Sequence, residues 1–476
     1  MPLSDKQVIE ELKRYGGTHA HSDATREKWD EIDKFYRGEN EIKLPEAVEG
    51  ELGDAASLQR LKVHTNFCKT IVHSTVTMAM ASGVKAVRQA EDGGGGELDD
   101  EEAAKVFAQT DIRRLIRYAS RYGAAWLQII EADREKRYRV HKPHVARRIM
   151  MDEDPEKERA VLVLQGFERQ EGAEKKKYYV ARFYEWDDER ARVSRRDFVS
   201  EDGSDWKRRA LPKNQSGPFR YMPWIYVPNR EEDTIPEQSD VLDGLEVFKQ
   251  YDALRVKFLK ALEDESFRQI FLANVGDDVA NRIKASGGLN VWNAKNRAGE
   301  HAPEMQSVSP ADHRQFLDGL SDLVDTVATV TRTSPLELNE RPVQDIPAQT
   351  LRVLYGPQIE RVRETTEHVN PALSRAASLI LKRPVRITLT PRLPISEDKE
   401  HQNKKGLLDS NAYSIRQLLM DSGFTRAQAE EIFEMRLDEL RRINAVEVEK
   451  EEELIDAEGE KAVEIARARP APRPAA

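Results

Sequence analysis

Two long runs of helical periodicity, separated by a short mixed insert, constrain this chain more than any other feature. From Ser239 to Leu262, the residues Val241, Leu245, Phe248, Tyr251, Leu254, Phe258 and Leu262 recur at spacings of three and four. That spacing lines one face of an α-helix. Val247, Val256 and Leu259 widen the apolar surface beyond that face. A helix so broadly apolar packs against more than one neighbour. In the second run Ser309 is a plausible N-cap, Pro310 fits the first helical position, and Phe316, Leu320, Leu323, Val327 and Val330 form a packing seam. Between the runs lie an apolar strand at Gln269–Ala273, a short helix near Asp277–Lys284, Gly287-Gly288 and a strand-like Leu289–Trp292. The pattern predicts a helical stalk with a compact tip.

The remainder reads as a mixed body. Residues 4–37 are helical in pattern, with Trp29, Ile32, Phe35 and Tyr36 on one face and Gly38 as the stop. Asn66–Val84 reads as a buried helix or helix plus turn, Gly93–Gly96 as a flexible loop, and 101–118 as another helix. Then the period changes to two. Tyr122–Ile130, Arg137–Val145, Ala160–Gly166, Lys177–Trp186 and Arg192–Val199 predict an antiparallel meander. Pro223 makes Tyr221–Val227 an edge strand. After the second long helix, Pro335, Pro342 and Pro347 exclude regular helix over 336–347. A helix then runs to about Lys382, which Pro357 and Pro371 should bend or break, followed by a strand at Val385–Thr390. Ser396, Ser414-x-x-Gln417 and Thr425-x-x-Gln428 place short capped helices near the C-terminal end, and 467–476 is Pro/Ala/Arg-rich. The expected class is α+β.

Charge narrows the function. The net charge is −10, and between Glu430 and Glu460 there are 13 acidic against 4 basic residues, which leaves the rest nearly neutral. Tight phosphate binding needs a basic excess, so DNA contact is expected to be transient. One cysteine, Cys68, excludes an intrachain disulfide and fits a reducing compartment. The uncharged run Thr70–Val84 is shorter than the roughly 20 residues a bilayer needs, and no signal-peptide h-region is seen, so no membrane is expected. No phosphate-binding G-x-x-x-x-G-K-[ST] loop, H-E-x-x-H or G-x-S-x-G occurs. His141-x-x-His144 and Asp152-Glu153-Asp154 are more simply turn and surface residues than metal ligands, and Cys68 a buried structural thiol. Neither catalytic residue nor metal nor cofactor is expected.

Several local features occur in a familiar order. Trp29…Tyr36-x-Gly38, Asn66 before its uncharged stretch, Tyr122-Gly123-Ala124 before an apolar strand, and Pro223 and Asn229 ahead of Ser239-Asp240 resemble the portal proteins of long-tailed bacteriophages. Asp345-Ile346-Pro347-Ala348 stands where that family often has a Ser-Gly-x-Ala-like turn. The resemblance covers about 25–445. It implies a wing (1–236), stem helices (237–263 and 310–332), a clip (264–309), a tunnel loop with broken helix and wing strand (333–394), a crown (395–455) and a disordered tail (456–476). Glu337, Asn339, Glu340, Arg341, Gln344 and Asp345 would face the DNA channel, and Lys284, Lys295 and Arg297 would meet partners at the clip. Also implied are a ring, typically twelve-fold, and partnership with the major capsid protein, the terminase large subunit and a head–tail connector or adaptor. Double-stranded DNA would pass through during packaging and ejection. The location would be the virion portal vertex, with host cytoplasm during assembly. Another virion or head-completion protein, or a metal-dependent nuclease, stays open.

Overall fold

The computed structural model describes residues 2–42, 65–88, 96, 98–99, 102–103, 106, 109–132, 135–151, 154, 157–171, 174–187, 191–211, 219–232, 234–266, 268–273, 289–294, 304–307, 313–339, 346, 348–393, 430 and 434–435. The chain divides into two compact units, Met1–Pro394 and Ile395–Ala476. In the second, Glu430, Glu434 and Met435 are helical; the expected capped helices at Ser396, Ser414 and Thr425 and the tail lie outside the described residues.

The N-terminal region is two helices, not one. Helix α1 (Asp5–Lys13) starts at a Ser4/Gln7 capping box, and α2 (Asp23–Arg37) starts at Ser22 and ends at Gly38, which adopts φ 70°. The break falls at Gly16 and Gly17, with φ of 74° and 72°. A Cβ on Gly17 would lie 1.7 Å from the Gly203 carbonyl oxygen. Two different cores explain the break. Helix α1 buries Val8 and Leu12 with Leu162, Phe183 and Phe198, whereas α2 buries Trp29, Ile32 and Phe35 with Phe67, Ile71 and Phe248.

Helix α3 (Phe67–Met80) lies within the expected Asn66–Val84, and the Asn66 side chain caps it by accepting from Lys69 N. Strand β1 (Lys85–Arg88) comes next; residues 93–95 of the expected loop are outside the described set. Helix α4 (Gln109–Tyr122) runs four residues past its expected end and takes in Tyr122, leaving β2 to begin at Ala124.

The strands are antiparallel, but they form two sheets rather than one meander. Strands β2 (Ala124–Ala132) and β3 (Glu135–His141) form a hairpin. A 3-10 turn at Pro143–Val145 carries the chain out of that sheet. Strands β4 (Ala146–Met150), β5 (Glu158–Glu171), β6 (Glu174–Asp187), β7 (Arg192–Ser200) and β8 (Lys207–Arg209) then pair in sequence order. Strand β9 (Trp224–Pro228) returns to pair with β2 as an edge, in line with the reading of Pro223. Trp126, Trp224, Val161, Val163 and Tyr184 fill a shared core between the sheets.

Helix α5 (Leu245–Ser266) begins later than Ser239, after a 3-10 turn at Leu242–Gly244. Strands β10 (Arg268–Ala273), β11 (Leu289–Ala294) and β12 (Glu304–Ser307) form a sheet with β10 central, parallel to β11 and antiparallel to β12. The first two strands match the expectation and β12 adds a third; the expected helix near 277–284 lies outside the described residues. Helix α6 (Arg314–Val330) returns along α5, and Ser309 and Pro310 are outside the described set. Helix α7 (Pro335–Leu338) is one helical turn inside the segment expected to exclude helix, because Pro335 sits at its first position, where no amide is needed.

Helix α8 (Ala348–Leu381) is continuous over 34 residues despite Pro357 and Pro371. The expected break is therefore corrected. Both prolines are exposed, as are Val353 and Glu367 four residues before them, so the carbonyls they cannot bond lie on the solvent stripe. The opposite face buries Leu351, Tyr355, Val362, Val369 and Leu373 in the largest core. Strand β13 (Val385–Thr388) pairs antiparallel with β1. Among the described residues no helix is long and apolar enough to cross a membrane.

Candidate functional site

The candidate site is the root of the α5–α6 helix pair, where both helices enter the body. It begins with a glycine. Gly123 ends α4 with φ 87°, and a Cβ there would lie 1.7 Å from the Ile235 carbonyl oxygen. Its own carbonyl accepts from Asn229 N at 2.9 Å. Only glycine allows that approach at that φ. The turn brings the end of β9 and the segment 235–240 against the end of α4.

A buried polar network fills this junction. Asp240, 3% exposed, accepts from Asn229 Nδ2 at 2.7 Å, Ser120 Oγ at 2.5 Å and Thr75 Oγ1 at 3.2 Å. Ser239 Oγ donates to the Arg121 carbonyl at 2.8 Å. The Asn229 side chain also donates to the Gln238 carbonyl at 2.8 Å and accepts from Thr365 at 2.8 Å. Arg361, 2% exposed, lies with Nε 3.8 Å from Asp240 Oδ2. Its guanidinium donates to Thr333 Oγ1 at 2.7 Å, to Thr75 Oγ1 at 3.0 Å and to the Thr331 carbonyl. Gln358 accepts from Ser334 N at 2.8 Å. Burial pulls the Arg361 pKa down, and Asp240 opposes that pull. The network ties α3, α4, β9 and α8 to the start of α5 and the end of α6. Arg332, with φ 48°, lies between two of the tied threonines.

Aromatic packing surrounds the network. Phe248 meets Phe67 and Phe35 at ring-centroid distances of 5.7 and 6.0 Å, and Tyr251 meets Phe67 edge-on at 4.9 Å. Val241, Leu245, Phe248, Val324 and Val327 share this core with Trp29 and Ile71. Farther along the pair the packing thins. Leu254, Phe258, Phe316, Leu320 and Leu323 are half-buried, with Phe258 5.9 Å from Phe316. Leu262 and Leu317 are 38% and 53% exposed.

The other expected site residues are placed as follows. Glu337 sits in the α7 turn and accepts from the Tyr355 hydroxyl at 3.2 Å, and Asn339 caps that turn. Leu336 and Leu338 on either side are buried, so this start of the proline-bounded segment is anchored. Glu340, Arg341, Gln344, Asp345, Lys284, Lys295 and Arg297 lie outside the described residues.

His141 and His144 do not converge on a metal. His141 bonds Gln128 at 2.9 Å and lies over Trp224, whereas His144 packs between Trp29 and Tyr122. Burial pushes them down to about 4 and about 3. Cys68 is buried and its thiol pushed up to about 12, so it is inert. Among the described residues no group of His, Cys, Asp and Glu has metal-site geometry.

Thr75, Ser120, Gln358, Arg361 and Thr365 were not singled out by sequence reasoning. A signal existed: Gln358, Arg361 and Thr365 fall on the same stripe of α8 as Leu351, Tyr355 and Val362. Polar residues on a buried stripe mark a polar joint.

A family model described as "Phage portal protein, SPP1 Gp6-like" matches residues 18–439. Among solved structures, one described as "Neck of empty GTA particle computed with C6 symmetry" is similar at TM-score 0.40 and 14% identity, covering 79% of this chain and 95% of that chain. One described as "Virion of native gene transfer agent (GTA) particle" is similar at TM-score 0.41 and 12% identity, covering 78% and 94%. No curated protein matches the chain.

Proposed function

The chain belongs to the phage portal protein family, SPP1 Gp6-like, whose members are structural rather than enzymatic, and we propose that it forms a closed ring of about twelve copies at one capsid vertex. Double-stranded DNA passes through this ring on packaging and ejection. The family match over residues 18–439 carries the reading. The wing is 1–236, the stem is 237–263 and 310–332, and the clip is 264–309. The segment 333–394 holds the tunnel loop and the long helix, and 395–455 is the crown.

The packing gradient along α5 and α6 supports ring formation. Their roots find cover within one subunit, while Leu262 and Leu317 are left to water. In the ring these positions would face neighbouring copies. The clip, through Lys284, Lys295 and Arg297, meets the terminase large subunit during packaging and a head–tail connector afterwards. The body meets the major capsid protein. The loop residues Glu340, Arg341, Gln344 and Asp345 touch moving DNA through short-lived contacts, with Glu337 and Asn339 at its anchored start.

Native mass spectrometry of the purified full chain tests the ring: a closed assembly near twelve copies is expected, and a stable monomer at micromolar concentration would refute it. For the channel, Glu340→Lys with Asp345→Lys should leave ring mass unchanged but slow in vitro packaging, because added cations strengthen phosphate contacts. Packaging at the unmodified rate by intact mutant rings would remove the loop from the mechanism.

A further inference from the structure

Successive residues of a strand point to opposite faces, so the registers of β5–β8 sort this sheet into two sides. One side carries Leu162, Phe183 and Phe198, which α1 covers through Val8 and Leu12. The other carries Val161, Val163 and Tyr184, packed with Trp126 and Trp224. Farther along the same strands, that second face continues with Gln165 and Phe167 on β5 and with Arg182, Val180 and Tyr178 on β6. Arg182, Asp197 and Arg209 stand in one row across it, because Arg182 pairs with Asp197 and Asp197 with Arg209.

A concavity of about 960 Å3 lies over this face. Its charged lining is Lys177, Arg182, Arg195 and Arg209 against Glu168 and Asp197. Glu168 lies opposite Lys177 in the ladder, and Arg195 holds Asp197 through bonds of 2.7 and 2.6 Å. Arg182 and Arg209 are left over. Arg182 bonds the Gln165 amide oxygen at 3.2 Å, its buried Nε has no partner, and neither it nor the exposed Arg209 meets a carboxylate among the described residues. Two uncompensated guanidiniums on either side of a neutralised pair make a cradle for an oxyanion. About 13 Å farther along β6, at Tyr178, the same face turns aromatic. Phe167 stacks there on Tyr178 at 5.8 Å and is 47% exposed.

We propose that this sheet face binds a short single-stranded nucleic acid, with phosphates on Arg182 and Arg209 and a base stacked on Phe167. Cations that follow a backbone, beside an aromatic ring that stacks a base, are what such a ligand requires. The distance from the arginines to the ring is longer than one nucleotide, so a strand bridges it and a free nucleotide does not. A duplex keeps its bases stacked inside and has none to offer Phe167. An acidic peptide answers the arginines but leaves the ring without a flat partner. With only two uncompensated cations, the contact is weak and salt-sensitive. It lies within one subunit and does not depend on ring formation.

The test titrates the full chain into a fluorescent ten-nucleotide oligothymidylate, with a ten-base-pair duplex, ATP and a ten-residue Glu/Val peptide beside it. The single strand should bind best by anisotropy. Arg182→Gln with Arg209→Gln should weaken it by about tenfold or more. The same pair should flatten the plot of log affinity against log salt by about 1.4, since each phosphate contact to a single strand contributes about 0.7. Phe167→Leu should weaken binding by about fivefold or more and leave that slope unchanged. A damaged sheet would not separate slope from affinity in this way, and the thermal midpoint of each variant should stay that of the unmodified chain. Equal or tighter binding of the duplex, ATP or the peptide, a slope indifferent to the arginine pair, or an affinity indifferent to Phe167→Leu would each overturn the proposal.

Discussion

The root and the outer half of the α5–α6 pair are built from the same two helices and obey different rules. At the root Phe248 is 1% exposed, and Asp240 and Arg361 sit in a network drawn from four other elements. About three turns farther out, Phe258 is half-buried and its aromatic contacts are Phe316 on α6 and His313 at the start of that helix. One subunit completes the root alone. Along the outer half Val256 is still fully buried, but Leu262 and Leu317 are left exposed, which is what a helix pair needs if other copies supply the rest.

The comparison is best broken at Arg361. Arg361→Leu leaves Asp240 buried without its cation and should cost about 3–5 kcal/mol, read as a large fall in thermal midpoint. Adding Asp240→Asn should recover part of that loss, because the two sites are coupled. A loss below 1 kcal/mol would mean that the joint is not what holds the root. Next, Phe248→Ala should cost about 3–4 kcal/mol through the cavity it leaves.

Acid should act in the body beside the root more than in the outer half. His144, near Trp29, Tyr122, Asp33, Lys142 and Arg121, stays neutral down to about 3, and His141 down to about 4. An unfolded histidine takes up its proton near 6.5, so these groups stabilise fully above that pH. The contribution falls as pH drops from about 6.5 toward 4, by up to about 2 kcal/mol at pH 5 for His144 and by less for the more exposed His141. Unfolding by urea at pH 7 and pH 5 reads the difference, and His144→Phe should flatten it; an unchanged slope would count against burial as the cause. The smallest effect belongs to the outer half. Phe258→Ala should cost unassembled subunits roughly 1 kcal/mol, since its ring is only half-covered. In assembled rings the same change should lower stability more, and equal costs in the two states would mean that no neighbour covers it.

What could be read from the sequence followed the range of each interaction. Local signals held: the Gly38 stop, the Pro223 edge and the helix within Asn66–Val84 all appear as expected. Signals that depended on distant partners did not. Gly16-Gly17 breaks the first helix because Val8 and Trp29 belong to separate cores. Pro357 and Pro371 are tolerated because they lie on the exposed stripe, which only the packed structure defines. The division of the strands into two sheets turns on Pro143, since period-two alternation is the same in both. At the joint, Asn229, Ser239 and Asp240 stood out as a resemblance, but their purpose depends on Thr75 and Arg361, far away in the chain.

That separation has a consequence during synthesis. Thr75 and Arg361 are 286 positions apart, and α5, α6 and the β10–β12 sheet are all encoded between them. At about 5–20 residues per second, a ribosome needs roughly 15–60 s to travel from one to the other. Through that interval the nascent chain carries both long helices without the Arg361 clasp that joins their roots. The joint can close only after α6, α7 and the first part of α8 have all left the ribosome, because Arg361 lies on α8.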